Sequence, residues 1–212
     1  MIGVARATRI IKPIAFVVCL VPAGLLAWRA FHDRLGANPI RELEIRTGLW
    51  TLRFLAITLS VTPARKLSGI GTLTKYRRMF GLFTFFYACV HLSMWVGVDW
   101  FFDWRSMGGE IVKHKYILIG MLTFLILLPL ALTSTNGWVR RLGGRRWNAL
   151  HSLVYAAAVT GTIHYLWAVK KDTFFPLVYL ATFAALLGYR VVDRARRGAA
   201  RRRRAAVATA SS

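Results

Sequence analysis

Six stretches of the chain approach the length of about 20 mostly apolar residues that a membrane-spanning helix needs. These stretches are residues 10–31, 45–62, 79–99, 115–133, 148–169 and 174–192. The connections between them are short, and the second stretch is the weakest because Arg53 interrupts it. The sequence therefore predicts an all-α membrane protein in which six transmembrane helices form one bundle.

The net charge of +22 is distributed in a way that argues against nucleic-acid binding. Such binding needs a basic patch on a folded polar surface, whereas here the charge lies between apolar stretches. Twenty of the 30 lysines and arginines lie before or at the start of the first stretch, in loops 63–78 and 134–147, or at and beyond the end of the last stretch. Seven of the eight acidic residues lie in or beside the other loops. Because basic residues accumulate in cytoplasmic loops, both termini are predicted to be cytoplasmic.

The chain divides into three parts. Its N-terminal run imitates a signal peptide, but it ends in Trp28 and Arg29 where cleavage requires small residues, and we interpret it as a retained helix. Residues 1–44 are then the first transmembrane helix with an outer loop, and residues 45–192 are the transmembrane core. Residues 193–212 form a basic tail of low complexity, which is predicted to be disordered.

Three histidines are enclosed by apolar sequence, and ionisable residues inside a bilayer are functional by default. At about 1.5 Å of rise per residue, His91 lies roughly 12 Å and His164 roughly 9 Å inside the outer boundary. His151 lies about 20 Å from His164 along one predicted helix, in the inner leaflet. Two imidazoles at one level on two helices are typical axial ligands of a haem iron, although hydrogen bonding between helices would also explain histidines in a bundle.

The inner leaflet departs from the pattern of two-haem membrane cytochromes, in which two helices each carry a histidine pair. Arg77 and Arg78 occupy the positions where a histidine partner to His91 would stand. An inner haem on His151 would thus have a non-histidine sixth ligand or none, so one haem is expected and a second is left open. The two arginines could contact haem propionates or an anionic cofactor, or they could be ordinary cytoplasmic-side residues. Arg53, inside the second stretch, is a further candidate for a propionate contact.

Four segments resemble one known family. They are RTGLWTLRFLAITLSVTPAR (46–65), YRRMFGLFTFFYACVHLSMW (76–95), LPLALTS (128–134) and RLGGRRWNALHSLVYAAAVTGTIHYLW (141–167). They are similar to MsrQ, also called YedZ, the haem-binding membrane subunit of bacterial periplasmic methionine sulfoxide reductase systems within the ferric-reductase-like transmembrane superfamily. The resemblance covers roughly residues 40–190.

The resemblance implies a location in the bacterial inner membrane and the binding of b-type haem and FMN. The haem ligands carry over to His91, His151 and His164, whereas no residues can be assigned to FMN. It also implies electron transfer from the quinone pool or a cytosolic flavin reductase to a periplasmic molybdopterin reductase. This subunit would carry electrons rather than reduce methionine sulfoxide itself. Two alternatives remain, a metalloreductase-type electron carrier and a small proton-coupled transporter with a histidine relay.

Overall fold

The computed structural model describes residues 2–169 and 171–210, and it is 88% helical with no strand among those residues. The elements in chain order are α1 (Ile2–Phe31), α2 (Pro39–Ser68), α3 (Thr74–Ser93), α4 (Trp104–Lys113), α5 (Lys115–Leu132), α6 (Asn136–His151), α7 (Val154–Ala168) and α8 (Phe174–Ala210). A short 3₁₀ turn, Gly71–Leu73, precedes α3, and a π-helical turn, Met94–Asp99, extends it. The predicted all-α class is confirmed.

Four helical segments are long and apolar enough to cross a membrane. They are Ile10–Phe31, Gly71–Asp99, Lys115–Leu132 and Phe174–Ala200. The other two predicted spans are also helical, in α2 and α7. Charged residues lower the mean hydropathy of α2, and α7 has only 15 residues. The structure and composition therefore support a multi-pass membrane protein with four such helices among the described residues.

The predicted single helix over residues 148–169 is wrong in one respect. α6 ends at His151 and α7 begins at Val154, so His151 and His164 lie on successive helices. The N–H of Ser152 donates to the carbonyls of Asn148 and Ala149, which tightens the chain into a 3₁₀-type turn at the junction. The backbone stays in the right-handed helical region at Ser152 and Leu153.

The basic tail also differs from its prediction as a disordered segment. α8 continues as one helix to Ala210, and residues 211 and 212 lie outside the described part of the chain. Between residues 194 and 210 the sequence consists mainly of alanine and arginine. Both are good helix formers, so low complexity in this segment does not imply disorder.

Tyr87 of α3 forms hydrogen bonds to the backbone of α1 beside a proline. Its side chain is fully buried, and its hydroxyl donates to the Cys19 carbonyl at 2.8 Å while accepting from the Ala23 N–H at 3.1 Å. In a regular α-helix that N–H and that carbonyl would pair with each other. Pro22 lies beside them inside α1, and a proline kink opens a helix to such an insertion.

The helices of the core pack in two pairs, α2 with α3 and α5 with α7. Aromatic rings fill the first pair, where Phe54 of α2 stacks on Phe83 and Tyr87 of α3. Small and hydroxyl side chains fill the second, where Thr123 donates to Thr160 at 2.8 Å. The two pairs meet around a cavity.

Candidate cofactor site

A cavity of about 360 Å³ lies between α2, α3, α5 and α7. That volume falls at the lower end of the range of about 300–1,000 Å³ that is usual for cofactor sites. Its wall is largely apolar and includes the buried side chains of Leu52, Leu55, Ala88 and Leu127. Such a wall keeps water away from whatever occupies the cavity.

His91 and His164 project into this cavity from α3 and α7. Their ring centroids are 6.1 Å apart, and the planes of the two rings are inclined at 71°. The helices that carry them pack mainly against α2 and α5 rather than against each other. The fold therefore places the two imidazoles on opposite walls of one cavity.

Each histidine is oriented by a backbone carbonyl of a neighbouring helix. The Nδ1–H of His91 donates to the carbonyl of Glu44 at 2.9 Å, and the Nδ1–H of His164 donates to the carbonyl of Tyr116 at 2.7 Å. A carbonyl oxygen only accepts, so these bonds select the tautomer that carries its proton on Nδ1. In both rings Nε2 keeps its lone pair, and neither Nε2 has a hydrogen-bond partner among the described residues.

A glycine stands four residues after each of those carbonyls. A Cβ at Gly48 would lie 3.2 Å from Cε1 of His91, and a Cβ at Gly120 would lie 2.7 Å from Nδ1 of His164. The second distance is shorter than any ordinary contact, so a side chain at position 120 would displace the ring. The carbonyl and the glycine together form a seat for the imidazole, and the same seat occurs in α2 and in α5.

The donor set fits a haem iron better than a metal held by the protein alone. Within residues 2–169 and 171–210, no cluster of three or more histidine, cysteine, aspartate or glutamate side chains could hold a metal ion. A porphyrin supplies four ligands itself and needs only axial ones from the protein. With metal–imidazole bonds of about 2 Å, two rings that share one ion have centroids about 6 Å apart, as observed for His91 and His164.

The mouth of the cavity is polar, in contrast to its depth. Arg41, Glu44, Asp99 and Asp172 line this end, and the Arg41 guanidinium lies 3.5 Å from the Glu44 carboxylate. The cavity therefore has an apolar interior and a polar entrance, where one guanidinium, paired with Glu44, stands among three carboxylates. A flat apolar ring system suits that interior.

The three arginines that the sequence analysis proposed as cofactor contacts do not line the cavity. Arg53 is exposed, does not line the cavity, and stacks on the ring of Trp50 at 4.5 Å. Arg78 is exposed and donates to the Asn136 side chain at 2.7 Å. Arg77 is half-buried, at the same end of the bundle as His151.

His151 does not lie beside His91 and His164. Its ring stacks on Trp147 with centroids 3.7 Å apart, and its Nδ1–H donates to the Trp147 carbonyl at 3.1 Å. Its Nε2 lies 3.4 Å from the Ser134 hydroxyl, and the residue does not line the cavity. The structure thus joins His91 with His164 and leaves His151 at the other end of the bundle.

The sequence analysis did not identify three residues of the site, namely Gly48, Gly120 and Arg41. A glycine within a helix costs stability, which was the available signal for the first two. Arg41 resembles an ordinary loop cation, because nothing in the sequence places it at a cavity mouth.

Comparison with known proteins defines the class first. Residues 47–162 match the family model described as the ferric reductase like transmembrane component. This segment contains Gly48, Gly120, His91 and His151, whereas Glu44 and His164 lie just outside it. The class is therefore a ferric-reductase-like membrane domain. No solved structure matches the chain.

Full-length relatives narrow the class. The protein-methionine-sulfoxide reductase haem-binding subunit MsrQ of Rhodospirillum rubrum is 49% identical over 182 residues, covering 86% of this chain and 88% of the relative. The subunit of the same name from Xanthomonas euvesicatoria is 44% identical over 199 residues, covering 90% and 91%. The one from Caulobacter vibrioides is 44% identical over 178 residues, covering 84% and 85%. The chain belongs to the MsrQ family.

Proposed function

We propose that the protein is a b-type cytochrome subunit of the bacterial inner membrane that carries electrons to a periplasmic molybdopterin-containing methionine sulfoxide reductase. The family membership supports a membrane electron-transfer subunit of that reductase system. The observation that carries the proposal is the pair His91 and His164, whose Nε2 atoms are both available in one apolar cavity. The chemistry of methionine sulfoxide reduction itself belongs to the partner.

Different residues of the cavity would contribute to haem b binding in different ways. His91 and His164 would hold the haem iron through Nε2, and their Nδ1–H···O=C bonds to Glu44 and Tyr116 fix the ring orientation and make Nε2 more basic. Gly48 and Gly120 allow both rings to approach the neighbouring helices. Arg41 lines the mouth and would contact the propionates in exchange for its pairing with Glu44, whereas Arg53 is exposed and does not line the cavity.

A haem held in this way supplies a one-electron redox site whose potential depends on its axial ligands and its burial. The apolar wall of Leu52, Leu55 and Leu127 lowers the local polarity and excludes water. It also shields the site from side reactions.

Six membrane spans are part of the proposal, with both termini in the cytoplasm. α2 and α7 form walls of the cavity together with α3 and α5, so they share the depth of those two apolar helices. α7 alone is about 22 Å long at 1.5 Å per residue, and the last turns of α6 extend it. In this arrangement the mouth of the cavity faces the periplasm, and His151, Arg77 and Arg78 lie toward the cytoplasm.

Electrons would enter at that cytoplasmic end, from the quinone pool or from a cytosolic flavin reductase. His151 is retained as a candidate ligand of a second haem. The proposal also retains the FMN that the resemblance implies, without assigning residues to it. The metalloreductase alternative differs in the acceptor at the periplasmic face, and it needs a separate flavoprotein as the electron donor.

The absorption spectrum of the purified protein tests the proposal. After expression with ample haem, the protein should show a Soret band that sharpens on dithionite reduction, together with the α-band of a low-spin b-type haem. A colourless preparation would contradict electron transfer and favour a proton-coupled transporter that uses the same histidines.

A further inference from the structure

Arg190 of α8 is a buried cation at the end of the bundle opposite the cavity mouth. Its side chain donates to the Tyr155 hydroxyl at 2.6 Å and to the Leu59 carbonyl at 2.7 Å. Leu59 precedes Pro63 of α2 by four residues, and a proline has no N–H to donate to that carbonyl. The guanidinium thus replaces a missing helical hydrogen bond and joins α2, α7 and α8.

These two hydrogen bonds do not use all the N–H groups of the Arg190 guanidinium. A guanidinium has five N–H groups, and the buried Nε of Arg190 has no hydrogen-bond partner among the described residues. Arg190 is only 9% exposed. An unpaired donor on a buried charge is costly, so the site is incomplete as the chain alone forms it.

Two further arginines lie near the same tyrosine. The guanidinium carbon of Arg190 lies 5.1 Å and that of Arg194 5.7 Å from the centre of the Tyr155 ring. Arg77 of α3 is within electrostatic reach of both Arg190 and Tyr155. We call Arg77, Arg190 and Arg194 the arginine cluster.

No carboxylate neutralises the arginine cluster within the part of the chain that the structure describes. Asp193 is the acid nearest in sequence, and it is already engaged by Lys66 and by Arg197 at 3.3 Å. Three positive charges within electrostatic reach of one another repel each other in a medium of reduced polarity. An anion between them would remove that repulsion and satisfy the free Nε–H.

We propose that the arginine cluster is a binding site for an anionic phosphate group at the cytoplasmic end of α3, α7 and α8. The planar fork of a guanidinium matches phosphate oxygens, and basic pockets between helices on the cytoplasmic side bind lipid headgroups. The phosphate belongs either to an anionic lipid of the inner leaflet or to a soluble mononucleotide such as FMN. The inference does not rest on haem binding at the other end of the bundle.

Native mass spectrometry of the full chain in detergent tests the site with two pairs of probes. Phosphatidylglycerol is compared with phosphatidylcholine of the same acyl chains, and FMN is compared with riboflavin, which lacks the phosphate. We expect one anionic probe to bind more tightly than its neutral or zwitterionic counterpart. Preference for phosphatidylglycerol identifies the source as lipid, and preference for FMN identifies it as a soluble phosphate.

Arg194→Gln and Arg77→Gln should each weaken binding of the preferred probe by about tenfold or more, since each removes charge-assisted hydrogen bonds. Arg194 is exposed, so its replacement does not endanger folding. Arg141→Gln is the matched control, because Arg141 also stacks on an aromatic ring, Trp138, at 5.2 Å but lies outside the cluster. Absence of any preference within both pairs, or equal weakening by Arg141→Gln, would overturn the proposal.

Discussion

At the scale of single residues, the site depends on two histidines and on the two glycines that seat them. The histidines could be predicted from the sequence, because imidazoles are conspicuous in apolar stretches. The glycines could not, because their role depends on which helix each ring touches. His91 reaches Gly48 from 43 positions away in sequence, and His164 reaches Gly120 from 44.

Gly120→Ala should reduce haem affinity about 10–100-fold, the usual effect of losing a partner that orients a metal ligand. The added Cβ would meet Nδ1 of His164 at 2.7 Å and break its bond to the Tyr116 carbonyl. Gly48→Ala should have a smaller effect, since its Cβ would meet His91 at 3.2 Å. The measurement is haem bound per protein in a titration of the haem-free form.

Gly188→Ala is the control for these variants, because a Cβ there meets nothing within 4 Å in the interior of α8. It should retain the haem affinity of the unmodified protein. If Gly120→Ala also retained it, His164 would not be held as the structure indicates.

At the scale of helices, the hydropathy of the sequence predicted where the apolar helices lie, but it did not predict where one helix ends and the next begins. Each of the six apolar stretches is largely helical, and the fifth is divided between α6 and α7. The turn between α6 and α7 was missed, because Ser152 and Leu153 interrupt no hydrophobic pattern. The helical continuation of α8 was missed because composition was used to predict disorder, although alanine and arginine favour helix. Side chains at the prolines, Tyr87 at Pro22 and Arg190 at Pro63, join the helices.

Tyr87→Phe should lower the thermal unfolding midpoint, because it removes the hydroxyl that bridges Cys19 and Ala23 in α1. Two buried hydrogen bonds at about 0.5–1.5 kcal/mol each together contribute about 1–3 kcal/mol, which corresponds to a decrease of about 2–12 °C in a chain of this size. The haem spectrum should not change, since Tyr87 does not line the cavity. Tyr76→Phe, on the same helix and without a hydrogen bond to its hydroxyl among the described residues, should leave the midpoint in place. Equal effects of the two substitutions would show that the bridge to α1 contributes nothing.

At the scale of the whole molecule, the two ends of the helical bundle differ in charge, and the mouth of the cavity lies at one of them. Basic residues collect at the end that holds the arginine cluster and His151, and acidic residues collect at the cavity mouth. The sequence alone predicted this asymmetry from loop composition. Helical rise along the sequence also predicted that His151 lies apart from the pair. The contacts of His151 with Trp147 and Ser134 could not be predicted, because they depend on the turn that follows it.

A topology reporter tests the direction. A fusion at the C-terminus should behave as cytoplasmic, and a fusion within the 100–114 loop should behave as periplasmic, because positive loops remain inside. The opposite pattern would turn the cavity mouth toward the cytoplasm and reverse the proposed electron flow.

The central claim is that His91 and His164 ligate one haem together. Haem content and low-temperature electron paramagnetic resonance of His91→Ala, His164→Ala and His151→Ala test it most directly. We predict that His91→Ala and His164→Ala remove the same low-spin ferric signal, because either change opens an axial position on one iron. His151→Ala should retain that signal. Loss of the signal in His151→Ala together with its retention in His164→Ala would contradict the pairing.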